Sequence, residues 1–141
     1  MIVAIVNQHG NPDRTVIARN LAVLRARSGR RVCLMNTARD GDWGTERSAC
    51  AVRPWIDTRQ VGSRAVKTRL AALRPLFNDI LVDAGARDTE ECRCVLASAR
   101  LVVVPVRGAE IDLDCQYRLL ARLNAARIFN PAMRVLFVAV G

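Results

Sequence analysis

A chain of 141 residues with 51% hydrophobic content is the size of one domain, 1–141, and can bury a core, but with only 4% aromatic residues that core must be built from Val, Leu, Ile and Ala. Its 22 basic residues against 13 acidic ones give a net charge of +9, which argues for anionic partners and says nothing about fold. No apolar run approaches the ~20 residues of a membrane span, the opening run lacks the basic segment of a signal peptide, and five cysteines at irregular spacing (Cys33, Cys50, Cys92, Cys94, Cys115) make no disulfide framework, so a reduced, cytoplasmic protein is expected.

Residues 2–6, Ile-Val-Ala-Ile-Val, read as a central strand covered on both faces. Residues 7–15 read as a loop, and Val16 to Arg27 as a helix with Val16, Ile17, Leu21, Val23 and Leu24 on its apolar side. Ser28-Gly29 ends that helix, with Gly29 suited to a left-handed cap. Residues 32–36 form a second strand, residues 37–49 a loop containing Trp43, and residues 50–59 are ambiguous because Pro54 disfavours a central strand. Val61 to Leu73 reads as a helix that buries Val61, Ala65, Val66, Leu70 and Leu73. A strand at 79–83 and a helix capped by Asp88 or Thr89 follow, then a strand at 101–106, a helix from Asp112 to about Ile128, and a last strand at 134–140. Near-continuous apolar strands alternating with helices predict an α/β fold, a mainly parallel sheet with helices on both faces. The 2–6 strand is expected at its centre, neighboured by those at 32–36, 79–83 and 101–106. Ligands of such sheets bind at the carboxyl ends of the strands, where residues 7–15, 36–43, 83–88 and 106–112 all fall.

The loop between the first strand and helix is an altered P-loop. The motif needs glycines so that backbone N–H groups can close around phosphates, then a Lys and a hydroxyl. Thr15 stands at the hydroxyl position, whereas Asp13 replaces the second Gly and Arg14 the Lys. Arg14 keeps the charge but is longer and planar. Asp13 sets a carboxylate beside phosphate, where one like-charge pair at ~4 Å and an effective dielectric near 20 costs about 4 kcal/mol. Asp13 is expected to pair with Arg14 or to cap the helix instead.

The chain from Ile2 to Leu34 resembles the opening of the ParA/MinD family of deviant Walker A ATPases, in particular the small plasmid-partition type. That family runs strand, N-x-K-G-G-x-G-K-T-T, helix, basic turn, and a second strand ending D-x-D-P-Q. Here the loop reads Asn7-Gln8-His9-Gly10-Asn11-Pro12-Asp13-Arg14-Thr15-Val16, and the second strand leads into Asn36-Thr37-Ala38-Arg39-Asp40. Asp79-Ile80-Leu81-Val82-Asp83-Ala84-Gly85 and Leu101 to Val106 fit the later strands. The resemblance implies a P-loop NTPase-like fold, shortened at Gly141. It implies ATP or ADP with Mg²⁺ as the cofactor, held by Gly10, Asn11, Asp13, Arg14, Thr15 and Val16, with Thr15 and Asp83 as Mg²⁺ ligands. Asp83 matches the Walker B-type aspartate and Gly85 the switch after it. His9, the sole histidine, replaces the lysine that reaches across a dimer, and Ala38 replaces the aspartate associated with the hydrolytic water.

These changes predict weak or absent nucleotide binding and no turnover. Elsewhere, Cys92-x-Cys94 on a helix would point about 200° apart, so packing thiols are expected rather than a metal or redox pair. Arg19, Arg25, Arg27, Arg30 and Arg31 cluster around the first helix and its exit as candidate contacts for nonspecific DNA. The expected function is ParA-like partition or positioning through DNA and a protein partner, either an adaptor of the ParB type or another ParA-type subunit. The alternatives are an ATP-dependent dimerisation switch and a decoy subunit that caps an intact ATPase. The shortened chain predicts a homodimer or larger assembly.

Overall fold

A computed structural model describes residues 1–7, 13–37, 56–85, 87–108 and 112–141. Its elements in chain order are β1 (Ile2–Ile5), α1 (Asp13–Arg27), β2 (Val32–Asn36), β3 (Ile56–Gln60), a 3₁₀ turn (Ser63–Ala65) leading into α2 (Val66–Leu73), β4 (Asp79–Asp83), α3 (Glu90–Ser98), β5 (Leu101–Arg107), α4 (Leu113–Phe129) and β6 (Arg134–Val140). All neighbouring strands pair parallel, in the order β3-β2-β4-β1-β5-β6. β1, β2 and β4 are buried along their whole length, which is why their interiors read as apolar runs, with polar residues only at the ends of β2 and β4.

The expected parallel sheet is present, with one neighbour corrected. β1 lies inside the sheet, but it pairs with β4 and β5, not with β2. The β1–α1–β2 connection skips one place, and the apolar β4 strand fills it, pairing Ile80 with Ile2 on one side and with Cys33 on the other. The ambiguous segment ends in an edge strand. β3, Ile-Asp-Thr-Arg-Gln, is only half buried and pairs on one side with β2, so it tolerates an Asp57–Arg59 ion pair that a central strand would not.

The two faces of the sheet are covered differently. One core layer joins the sheet to α2, α3 and α4 through residues such as Val66, Leu70, Val95, Leu96, Leu119 and Leu123. On the other face α1 packs against Val3, Ile5, Leu34, Leu81 and Val103. α1 meets the sheet through Ala18, Ala22 and Ala26, one small residue per turn, whereas Val16 and Leu24 face outward. The apolar side expected from Val16, Ile17, Leu21, Val23 and Leu24 is therefore rotated, because small side chains at i, i+4 and i+8 let the helix approach the strands closely. α1 also begins three residues earlier than expected, so Asp13, Arg14 and Thr15 form its first turn.

The exit of α1 fixes a charged cluster at the amino edge of the sheet. Gly29 has φ +83, and the Gly29 and Arg30 amides donate to the Ala26 and Arg25 carbonyls, a Schellman turn. That turn sets Arg25 and Arg30 side by side on Asp79, the first residue of β4. The Arg25 Nε donates to Asp79 Oδ2 at 2.7 Å, and Arg30 donates to both carboxylate oxygens at 2.7 and 3.2 Å. Burial pushes the Asp79 carboxyl up, but the bonds from Arg30 and Arg25 outweigh it and hold the group below its ordinary 3.8. Because the folded pKa is depressed, this stabilisation is complete above about pH 4 and is lost as pH falls through the folded value. Asp79→Asn is expected to cost about 1–3 kcal/mol at pH 7. It should also flatten the acid limb, so that urea midpoints of variant and parent draw together as pH falls below about 4. A gap that does not narrow on acidification would locate the cost outside the charge cluster.

Candidate functional site

Four chain segments converge at the carboxyl edge of the central strands. Asn7 follows β1, Asp13 to Thr15 open α1, Asp83 ends β4, and Arg107 ends β5. Each element places its residue for a local reason. The buried strands deliver their last side chains to the edge, and the helix presents its first turn because its alanine stripe holds it against the sheet.

Arg14 is the centre of the arrangement. Its Nε donates to Asp83 Oδ1, and one terminal nitrogen donates to Asn7 Oδ1 at 2.9 Å. The Thr15 hydroxyl donates to the other carboxylate oxygen, Asp83 Oδ2, at 2.7 Å. Both Arg14 and Asp83 are buried, with side chains 6% and 1% exposed. The Asp83 carbonyl accepts from the Thr37 amide at 3.0 Å and from its hydroxyl at 3.3 Å, which ties the end of β4 to the end of β2. Gly85, two residues on, takes φ +77, a conformation that favours glycine at this turn out of the strand.

Asp13 does not pair with Arg14, one of the two roles expected of it alongside capping the helix. Arg107 holds it with two hydrogen bonds, one from Nε and one from a terminal nitrogen at 2.7 Å. Those bonds keep the Asp13 carboxyl below its usual range despite its burial. The reason is directional: Arg14 points inward to Asn7 and Asp83, while Asp13 faces the end of β5. Arg107 and Asn7 were missing from the expected site. The signal for Arg107 was a basic residue closing an apolar strand, whereas Asn7 stood at the first position of the loop pattern without being counted among the residues that would hold the cofactor.

Of the other expected positions, Thr15 and Asp83 are brought together, whereas Val16 is exposed on the outer side of α1. Gly10, Asn11, His9, Ala38, Arg39, Asp40 and Trp43 lie outside the described residues. Among the five candidate DNA contacts, Arg25 and Arg30 are engaged by Asp79, Arg19 is half buried on α1, and Arg27 and Arg31 are exposed. All but Arg19 gather near the amino edge, across the sheet from Arg14.

The four cysteines among the described residues behave as packing groups, and Cys50 lies outside them. Cys33 and Cys92 are buried and Cys94 and Cys115 half buried, all with free thiols. Burial pushes the Cys33 thiol up to about 12 and raises that of Cys92 as well, so neither forms a reactive thiolate near neutrality. Among the described residues no group of three or more His, Cys, Asp or Glu could hold a metal ion, and no helix is long and apolar enough to cross a membrane.

The architecture and this edge place the chain in a known fold. No protein-family model and no curated protein matches it. Solved structures do. Cobyrinic acid a,c-diamide synthase from Mycobacterium smegmatis, with bound ATP analog and magnesium, is similar over 98% of this chain and 71% of its own, with TM-score 0.81 and 17% identity. A plasmid partition protein from Borrelia burgdorferi is similar over 98% and 78%, with TM-score 0.76 and 13% identity. A ParA family ATPase from Chlorobium tepidum TLS is similar over 98% and 72%, with TM-score 0.73 and 15% identity. The chain has the P-loop NTPase-like fold of ParA/MinD-type ATPases, and at these identities the likeness is one of fold.

Proposed function

We propose that this chain is a ParA-like partition or positioning protein that works by binding DNA and a protein partner, with a nucleotide site disabled by its own Arg14. The observation that carries the second half is the seating of Arg14 on Asp83 and Asn7 beside the Thr15 hydroxyl. Thr15 and Asp83 are the pair that would hold Mg²⁺, but their oxygens already share one hydrogen-bonded unit with a guanidinium. A divalent ion there would face that charge at ~4 Å, a repulsion of about 8 kcal/mol at an effective dielectric near 20, which cancels the attraction of the single Asp83 carboxylate at a like distance. The residues present therefore do not fit Mg²⁺ while Arg14 is seated. Asp13 adds a carboxylate beside the phosphate position, though Arg107 neutralises much of it.

The binding half rests on charge. The net charge is +9, and Arg27 and Arg31 are exposed at the amino edge, where Arg25 and Arg30 keep about two-fifths of their side-chain surface exposed beside Asp79. Self-association accords with this reading, since β6 is an edge strand of the described sheet with Leu136 and Phe137 half exposed. A gel shift with random-sequence duplex DNA tests it. Retardation is expected at low ionic strength and should fade steeply at high salt, and Arg27→Glu with Arg31→Glu should weaken it at least tenfold. Absence of retardation at either ionic strength removes DNA from the proposal.

A further inference from the structure

A second feature lies away from the Arg14 edge, between α3 and α4. There the two helices leave a half-open groove of about 870 Å³. Its floor is apolar, formed by Leu96, Ala97, Ala121, Ala125 and Ala126. The small residues of α4 make the hollow, because alanine on successive turns leaves no side chain to fill the space between the helices. Tyr117 and Phe129 flank it and are 76% and 82% exposed, unusual for aromatic side chains. They stand twelve residues apart on α4, which corresponds to about 18 Å, or just over three turns.

The groove is charged as well as apolar. Arg87, Arg93, Arg118 and Arg122 line it against a single carboxylate, Asp88. Arg93 holds Asp88 with two bonds of 2.9 Å, and Arg122 reaches the Cys92 sulfur at 3.7 Å. The remaining acids of these helix starts, Glu90, Glu91, Asp112 and Asp114, do not line it. Arg87, Arg93 and Arg118 lie toward the amino-terminal ends of α3 and α4 and Arg122 near the middle of α4, with Tyr117 beside the basic end and Phe129 at the other, so an aromatic side chain stands at each end of the groove.

We propose that this groove docks an acidic amphipathic helix of a protein partner. The apolar floor fits the apolar stripe of such a helix, the three-turn spacing of Tyr117 and Phe129 matches its length, and the arginines match acidic residues beside the stripe. A compact metabolite would leave the outlying aromatics uncovered. A second copy of this chain fits poorly, because the exposed faces of α1 and α2 carry Arg27, Lys67 and Arg69, which would meet arginines. The proposal is independent of the nucleotide and DNA readings.

The test uses the full chain and two fluorescein-labelled 14-residue helical peptides with the same leucine stripe, one flanked by Glu and the other by Lys. The Glu peptide is expected to bind at least tenfold tighter by anisotropy and to shift amide resonances of residues 93–97 and 115–129. Arg118→Glu should weaken it tenfold or more, and Tyr117→Ala with Phe129→Ala should do likewise. These side chains are exposed, so circular dichroism and the melting temperature should match the parent and exclude a folding defect. Equal affinity for both peptides, or shifts elsewhere in the chain, would overturn the proposal. So would concentration-dependent shifts of the same resonances without peptide, which would assign the groove to a second copy. Duplex DNA shifting those resonances in place of the Glu peptide would assign it to phosphate and end the proposal equally.

Discussion

Asp83→Ala is expected to destabilise this protein by about 3–5 kcal/mol, because it strands a buried guanidinium. Arg14 and Asp83 are almost wholly enclosed, and the substitution also removes the acceptor of the Thr15 hydroxyl. For a chain of 141 residues that loss corresponds to a fall in Tm of about 10 °C or more. In a working metal site the same aspartate would serve an ion absent from the free protein, and its removal would cost activity more than stability. The double variant Arg14→Met with Asp83→Leu separates the two accounts. Replacing both partners of a buried pair with apolar groups is often neutral, so it should recover most of the loss. Urea denaturation of the parent, both single variants and the double variant measures the coupling. A loss below about 1 kcal/mol for Asp83→Ala would mean that the pair is not the structural unit described, and the disabled-site reading would lose its main support.

The sheet was legible in the sequence because its physics is local and repetitive. Runs such as Ile2–Val6 and Ile80–Val82 carry no polar residue, and only strands covered on both faces permit that. The helix boundaries set by Thr89 and Asp112 were legible for a similar reason, since each side chain accepts from a backbone amide two or three residues on. What escaped was decided by distant partners. β3 escaped because an edge strand may be polar, and strand order escaped because apolar runs do not encode which neighbour each will meet. The buried face of α1 was misjudged because large apolar residues outweigh alanine in any pattern count, whereas the sheet selected Ala18, Ala22 and Ala26 for their size. At the edge, the altered positions Asp13 and Arg14 were visible but their partners were not. Arg107 lies 94 residues from Asp13, and Asp83 lies 69 from Arg14. A local motif cannot announce such pairs, though the fold that brings β4 and β5 beside α1 makes both of them natural.

Restoring the lost motif should restore binding before it restores chemistry. Asp13→Gly removes a carboxylate from beside the phosphate position and frees Arg107 from it. Arg14→Lys replaces a planar fork, which satisfies Asn7 and Asp83 together, with a compact ammonium that cannot span both in the same way. Together they should raise affinity for ATP with Mg²⁺ at least tenfold over the parent by calorimetry. The gain requires that the Thr15 hydroxyl and Asp83 be released to face a cation, so adding Asp83→Asn to the double variant should abolish it. Turnover should stay at background, since Ala38 still stands where the resemblance places the carboxylate associated with the hydrolytic water, and one missing transition-state contact typically costs a factor of about 10² to 10³. Ala38→Asp in the restored background is the variant in which phosphate release should first become measurable. Mg²⁺-dependent ATP hydrolysis by the unmodified chain, abolished by Asp83→Asn without a matching fall in Tm, would reverse this order. Arg14 would then be a group that moves aside for nucleotide, and the dimerisation-switch reading would take the place of the binding one.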